Sequence, residues 1–191
     1  MKSKNIIQLL FSSLVILLCL SCNNNEESLD AVKQFKPDDK YFKSSIVSLH
    51  FITETSEIER VDSVFRQMIS GYNLPVDAKG CTDGEFTGES PYDAYDYKHC
   101  VTIKIKDEKI VSVSYNEIKK NGKGKREDEV YCEEMSAAGT TPAIAYPVYE
   151  KTLLDKQNYT EIDAVSGATY SLYRFRFAVM VALIKARLAK V

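Results

Sequence analysis

Val101-Thr102-Ile103-Lys104-Ile105-Lys106, Asp107-Glu108-Lys109, Ile110-Val111-Ser112-Val113-Ser114-Tyr115 is the stretch on which the reading of the fold turns. Val101, Ile103 and Ile105 alternate with Thr102, Lys104 and Lys106, so a strand here has one apolar and one polar face. Asp107 to Lys109 reads as a turn, and Ile110 to Tyr115 as the returning strand. The turn lacks the glycine common in tight hairpins, which leaves its type open while the pairing stands. Gly84-Glu85-Phe86-Thr87-Gly88 supplies a further strand upstream. The sheet expected is antiparallel, half-buried, and in need of a cover.

The cover comes from helices on either side. Ser56-Glu57-Ile58-Glu59 reads as a capping box, after which Ile58, Val61, Phe65, Met68 and Ile69 fall on one face and Gly71 marks a stop. Upstream, Ser44 to Thr53 is dense in apolar and β-branched residues and reads as a strand. Asp77 to Asp83 is a linker, and the charged Lys119 to Asp128 segment a solvated loop. That loop has glycines among basic residues but not the phosphate-loop spacing, and no Gly-x-Gly-x-x-Gly for a dinucleotide occurs in the chain. Glu129 to Met135 begins a short helix. Pro142 starts another that reaches Gln157, with Pro147 expected to interrupt it. The last helix, from about Tyr170, places Leu172, Phe175, Val179, Leu183 and Ala186 on one face, with Phe177, Met180 and Val181 widening it. The class expected is α+β, an antiparallel sheet packed by helices and closed by a long C-terminal helix.

Two lysines followed by a mostly apolar run from Ile6 to Leu20 match a secretory leader, too short for a spanning helix. The run ends at Leu18-Cys19-Leu20-Ser21-Cys22, which resembles a bacterial lipobox and implies lipid attachment at Cys22. Residues 1–21 are then a lipoprotein signal peptide, 22–39 a polar tether, 40–79 a helix-containing extension and 80–191 the principal domain. The expected location is the cell envelope, lipid-anchored, periplasmic or at the outer surface. The formal charge of −2, with acidic and basic residues interspersed, gives no footprint for nucleic acid and no basic patch for lipid headgroups. Cys81, Cys100 and Cys132 allow any of three disulfide pairings and leave one thiol over. His99 stands beside Cys100 without metal-ligand spacing, so its role reads as structural and no metal site is expected.

Between the sheet and the last helix lies Asp163-Ala164-Val165-Ser166-Gly167-Ala168-Thr169-Tyr170-Ser171. Ser166, Gly167 and Ala168 carry almost no bulk and deliver the Thr169 hydroxyl to a helix start, where backbone N–H groups and the dipole favour an anion. The plainer reading is a loop with Thr as helix cap. Asp163-x-x-Ser166-Gly167-Ala168-Thr169 resembles the flavinylation motif of the FMN-binding domain family, which includes the FMN-carrying subunits of sodium-pumping NADH:quinone reductases and Rnf complexes. Gly84 to Gly88, the Gly139-Thr140-Thr141-Pro142 loop and Leu153 to Gln157 extend the likeness over Asp83 to Lys190.

The resemblance implies FMN joined by a phosphoester to Thr169 through a dedicated flavin transferase. Ser166, Gly167 and Ala168 would then line the phosphate, Asp163 would orient the loop or be read by the transferase, and Tyr170, Tyr131 and Tyr146 would be candidates to face the ring. The activity implied is electron transfer between envelope redox partners rather than substrate turnover. Two rival classes stand beside it: a lipoprotein holding flavin non-covalently, and a surface lipoprotein with no redox role.

Overall fold

The computed structural model describes residues 55–93, 96–137 and 139–189. Cys22, the leader, the tether and the strand expected over Ser44 to Thr53 lie outside the described residues. Helix α1 (Thr55–Gly71) is followed by strands β1 (Gly84–Glu89), β2 (Tyr97–Lys106) and β3 (Lys109–Lys119). Helices α2 (Glu129–Ser136) and α3 (Pro142–Lys156), a 3-10 turn (Tyr159–Glu161) and helix α4 (Thr169–Leu188) complete the order. The sheet runs β1-β2-β3 with both pairings antiparallel, and the fold is α+β as the alternation predicts.

The hairpin is longer than its apolar heart. β2 pairs Val101 with Tyr115 and Ile103 with Val113, then continues outward to pair His99 with Glu117 and Tyr97 with Lys119. Directly opposed residues share a face, so His99 and Glu117 lie on the core side with Val101 and Tyr115. At the other end, Lys106 pairs with Lys109 across a two-residue turn. Asp107 (φ 51°) and Glu108 (φ 58°) are both left-handed, the backbone of a type I′ turn that glycine would occupy with less strain. Bonds to the preceding linker hold it: Asp107 N donates to Asp83 Oδ1 (3.0 Å), and Gly80 N to Glu108 Oε1 (3.0 Å).

α4 lies across β1 and β2, and α3 packs against β3. The apolar residues predicted to face the sheet from α4, Leu172, Phe175, Val179, Leu183 and Ala186, are buried, as are Phe177, Met180 and Val181. The helix is covered nearly all round, since Tyr173, Arg174, Ala178, Ala182 and Ile184 are buried too. Gly88 is where it comes closest to the sheet. A Cβ there would stand 1.8 Å from the Ala178 carbonyl oxygen and 2.6 Å from the Ala182 nitrogen. Both obstacles are backbone, so no rotamer change relieves them. α1 buries Val61, Phe65 and Met68 in the same core, with Phe65 edge-on to Tyr159 (6.2 Å) and Arg176 bonded to Asp62 (3.3 Å).

Two expectations are corrected. Pro147 does not interrupt α3, which is continuous from Pro142 to Lys156. Pro147 and Ala143, whose carbonyl loses its intrahelical partner, are both exposed, so water replaces the missing N–H. The Lys119 to Asp128 loop is not solvated throughout, because Lys125 is buried with only 5% exposure. Cys81, Cys100 and Cys132 are free thiols. Among the described residues no helix is long and apolar enough to cross a membrane.

Candidate functional site

Val165, Ser166, Gly167 and Ala168 form a β-turn closed by Ala168 N donating to Val165 O (2.9 Å). Gly167 at the third position has φ 78° while Ser166 has an ordinary negative φ, the pattern of a type II turn, where glycine is required for want of a Cβ. Ser166 and Gly167 are exposed at its tip. Ala168, buried, is the N-cap of α4, and Thr169 is the first helical residue. Thr169 is therefore not the cap that the plainer reading required. Ala168 has no side chain to bond the first-turn N–H groups, so these remain without a side-chain acceptor. The half-buried Thr169 has no hydroxyl hydrogen bond among the described residues. Asp163 is exposed, and the bonds across the turn do not use its carboxylate.

The turn rests on Tyr149 of α3, which is fully buried. Its hydroxyl accepts from Val165 N (3.3 Å) and donates to Ala168 O (2.9 Å), bridging the first and last residues of the turn. Burial pushes the Tyr149 phenol up to about 12, so it keeps the proton it donates.

A second set of polar groups sits beneath the first turn of α4. Glu117, fully buried, accepts at Oε1 from Ser171 Oγ (2.8 Å) and from Tyr146 Oη, and at Oε2 from Lys125 Nζ (2.5 Å). One carboxylate thus joins β3, the 119–128 loop, α3 and α4. Burial pushes this carboxyl up, but His99, the Lys125 ammonium and the Tyr146 hydroxyl outweigh it and hold it down to about 2. Burial lowers His99 to about 3 against the pull of Glu117, with Arg174 and Lys125 adding to the drop, so the imidazole is neutral at pH 7. Tyr115 Oη lies 2.7 Å from His99 Nδ1, and Nε2 is 3.6 Å from Glu117 Oε2. A lone pair at Nε2 would face the carboxylate, so the proton belongs on Nε2 and Tyr115 donates to Nδ1.

Asp93, His99 and Glu117 offer ligand atoms within 4.8 Å of one another, a set with one nitrogen and two carboxylates. The Lys125 ammonium already occupies Glu117 Oε2, and the buried Arg174 adds positive charge nearby. These cations supply the compensation a metal would otherwise give. Arg174 lies over the Tyr170 ring, 4.6 Å from its centroid, and that ring meets His99 edge-on at 6.1 Å. Thr140, in the loop before Pro142, is buried with no partner for its hydroxyl among the described residues.

The predicted residues divide into two groups. Ser166, Gly167, Ala168 and Thr169 form one displayed turn, with Tyr170 directly behind it. Tyr131 and Tyr146 instead belong to the Glu117 cluster: Lys125 Nζ lies 4.3 Å from the Tyr131 ring centroid, and Tyr146 is 1% exposed. That burial removes Tyr146 as a free face for a ring. No motif in the sequence gives Glu117, Lys125, Tyr149 or Ser171 a role at the site. The signal for Glu117 was its phase, since it stands two residues beyond Tyr115 and so on the core side of β3. A surface cleft of about 330 Å³ runs along α1 between Phe65, Ile69, Val76 and Arg176 and includes none of the turn residues.

No family model matches this sequence, and no curated protein does. Among solved structures, the crystal structure of the CPE2226 protein from Clostridium perfringens is 36% identical with a TM-score of 0.54, and the match covers 58% of this chain and 92% of that one. A solution structure of a Clostridium thermocellum protein is 28% identical over 55% of this chain and 91% of the other, with a TM-score of 0.38. By its identity and coverage with the first of these, the chain belongs to the same protein family as the Clostridium perfringens CPE2226 protein.

Proposed function

We propose that this protein carries FMN esterified through its phosphate to Thr169 and serves as an electron-transfer component held at the cell envelope by lipid on Cys22. The observation that carries the reading is the placement of Thr169. It follows a slim, exposed type II turn and opens α4, its hydroxyl unengaged among the described residues and the helix's first N–H groups without a side-chain cap. A phosphate on that oxygen would sit where helix N–H groups and the dipole stabilise negative charge. The residues therefore fit the group.

When bound, the flavin supplies one- and two-electron chemistry that no side chain here can perform. The chain's part is to hold it. Ser166 and Gly167 leave room at the phosphate, and Asp163, exposed at the approach, is available to the maturing transferase. A covalent link replaces a bimolecular equilibrium with permanent occupancy, an advantage where free flavin is dilute.

The test is co-expression with a flavin transferase, followed by denaturing electrophoresis under ultraviolet light and intact-mass measurement. The expected result is a fluorescent band, a mass increased by FMN less one water, and loss of both in Thr169→Ala. Flavin released on denaturation would instead favour non-covalent binding, and colourless protein with unchanged mass would remove the redox reading.

A further inference from the structure

We infer that Tyr149 and Glu117 are positioning residues for the modification of Thr169, one bracing the turn before it and the other the helical turn after it; this rests on the flavinylation reading. The Tyr149 hydroxyl ties Val165 N–H to the Ala168 carbonyl, at 3.3 and 2.9 Å, so both ends of the turn share one partner. Its ring is stacked on Phe175 of α4 (5.7 Å between centroids, 27° between planes), which anchors the hydroxyl to the helix that Thr169 begins. Two residues beyond Thr169, Ser171 Oγ donates to Glu117 Oε1 at 2.8 Å.

Burying a carboxylate and an ammonium together is often no more stable than packing two apolar side chains of the same size. Stability alone is therefore a poor reason for Glu117 and Lys125. A charged acceptor does what an apolar pair does not: it fixes the rotation of α4 by a directional bond at its first turn. Together the two contacts leave the Val165–Ser171 segment little freedom, while Ser166 and Gly167 stay exposed.

The transfer needs this order. With a flavin dinucleotide as donor, a bond forms between Thr169 Oγ1 and the phosphorus bearing FMN, and the pyrophosphate P–O bond breaks. A nucleoside monophosphate leaves, and the hydroxyl proton passes to solvent. In-line attack depends on where the oxygen lies, and a misplacement of about 1 Å can cost about 100-fold in rate.

The experiment measures initial flavinylation rates with a purified flavin transferase and a flavin dinucleotide, varying the concentration of the protein. Tyr149→Phe and Ser171→Ala are expected to lower kcat about tenfold each, with KM within twofold, because the exposed surface read by the transferase is unchanged. Ser171→Thr, which keeps the hydroxyl, should restore the rate. Amide hydrogen exchange on the unmodified protein gives an independent readout, expected to quicken at residues 165–169 in Tyr149→Phe and not in β2. Wild-type kcat in both variants overturns the inference, even if exchange quickens. Failure of the wild-type protein itself to accept flavin is a different result, which removes the flavinylation reading and this inference together.

Discussion

Glu117 shows how a single residue is committed by its surroundings. It bonds Lys125, Tyr146 and Ser171, and water does not reach it. Glu117→Gln preserves shape but leaves the Lys125 ammonium, 7% exposed at its side chain, without a counter-charge. A loss of about 3 kcal/mol is expected, as for other buried pairs broken on one side. Lys125→Met should cost a similar amount by stranding the carboxylate. The double variant should cost much less than the sum, because neither charge then remains unpaired. Urea unfolding of the four proteins measures this, and strict additivity would show that the pair is not coupled. Gly167 is the other residue whose identity is dictated. With φ 78° at the third position of a type II turn, Gly167→Ala should lower stability by about 1 kcal/mol. Its effect on flavin loading should exceed that loss if the shape of the turn matters to the transferase.

At the scale of elements, the contact of β1 with α4 is the least forgiving. Gly88→Ala places a methyl carbon 1.8 Å from a helix carbonyl oxygen, so strand and helix must separate. A loss of about 3 kcal/mol, the upper end for overpacking, is expected in thermal or chemical unfolding. The hairpin turn offers the opposite change. Replacing Asp107-Glu108 by Asn-Gly suits both left-handed positions and should gain about 0.5–1 kcal/mol, less the exposed bond from Gly80 to Glu108.

These elements also mark how far the sequence can be read. Alternation from Val101 to Ile105 and the apolar stripe of α4 are consequences of burial on one side, and both were legible. The type of the hairpin turn was not, because its strain is met by Asp83 and Gly80 from a linker whose proximity only the fold creates. The continuation of the strands to His99 and Glu117 was hidden because polar residues on a core face look the same as polar residues on an exposed one. The motif from Ser166 to Thr169 was legible as a turn before a helix, since small residues and glycine act locally. Its supports were not, because Tyr149 and Glu117 reach it from elements distant in the chain.

For the molecule as a whole, these buried groups set the pH range over which the fold is stable. His99 titrates at about 3 when folded but near 6.5 in an open chain. As pH falls from 6.5 toward 3 the unfolded chain takes up a proton that the native protein refuses, so stability declines by about 1.4 kcal/mol per pH unit from this residue. Glu117, held down to about 2 against 4.5, has the same sign over a lower window: its contribution is whole above 4.5 and is lost as pH falls through 2. On the alkaline side the direction reverses. Lys125 is raised above 10.5 because the pull of Glu117 outweighs burial, and Tyr149 is raised to about 12 by burial. The ammonium's contribution is present below 10.5 and fades as pH climbs through its folded value, while an unfolded tyrosine ionises near 10 before the native one does. The Cys100 thiol, pushed by burial from 9.0 to about 11, loses its contribution earlier still, from about pH 9. The curve of unfolding free energy against pH should therefore be a plateau from about 6.5 to about 9, falling on both sides. Between 6.5 and 4.5 the slope belongs to His99 more than to any carboxylate, so His99→Gln should flatten that part of the curve. It should also make the fall below 4.5 shallower without abolishing it, since His99 titrates down to about 3 and helps hold Glu117 down. Chemical denaturation at intervals of half a pH unit resolves the two segments. A wild-type curve already flat between 6.5 and 4.5 would mean that the imidazole is not the sealed, neutral group placed here between Tyr115 and Glu117.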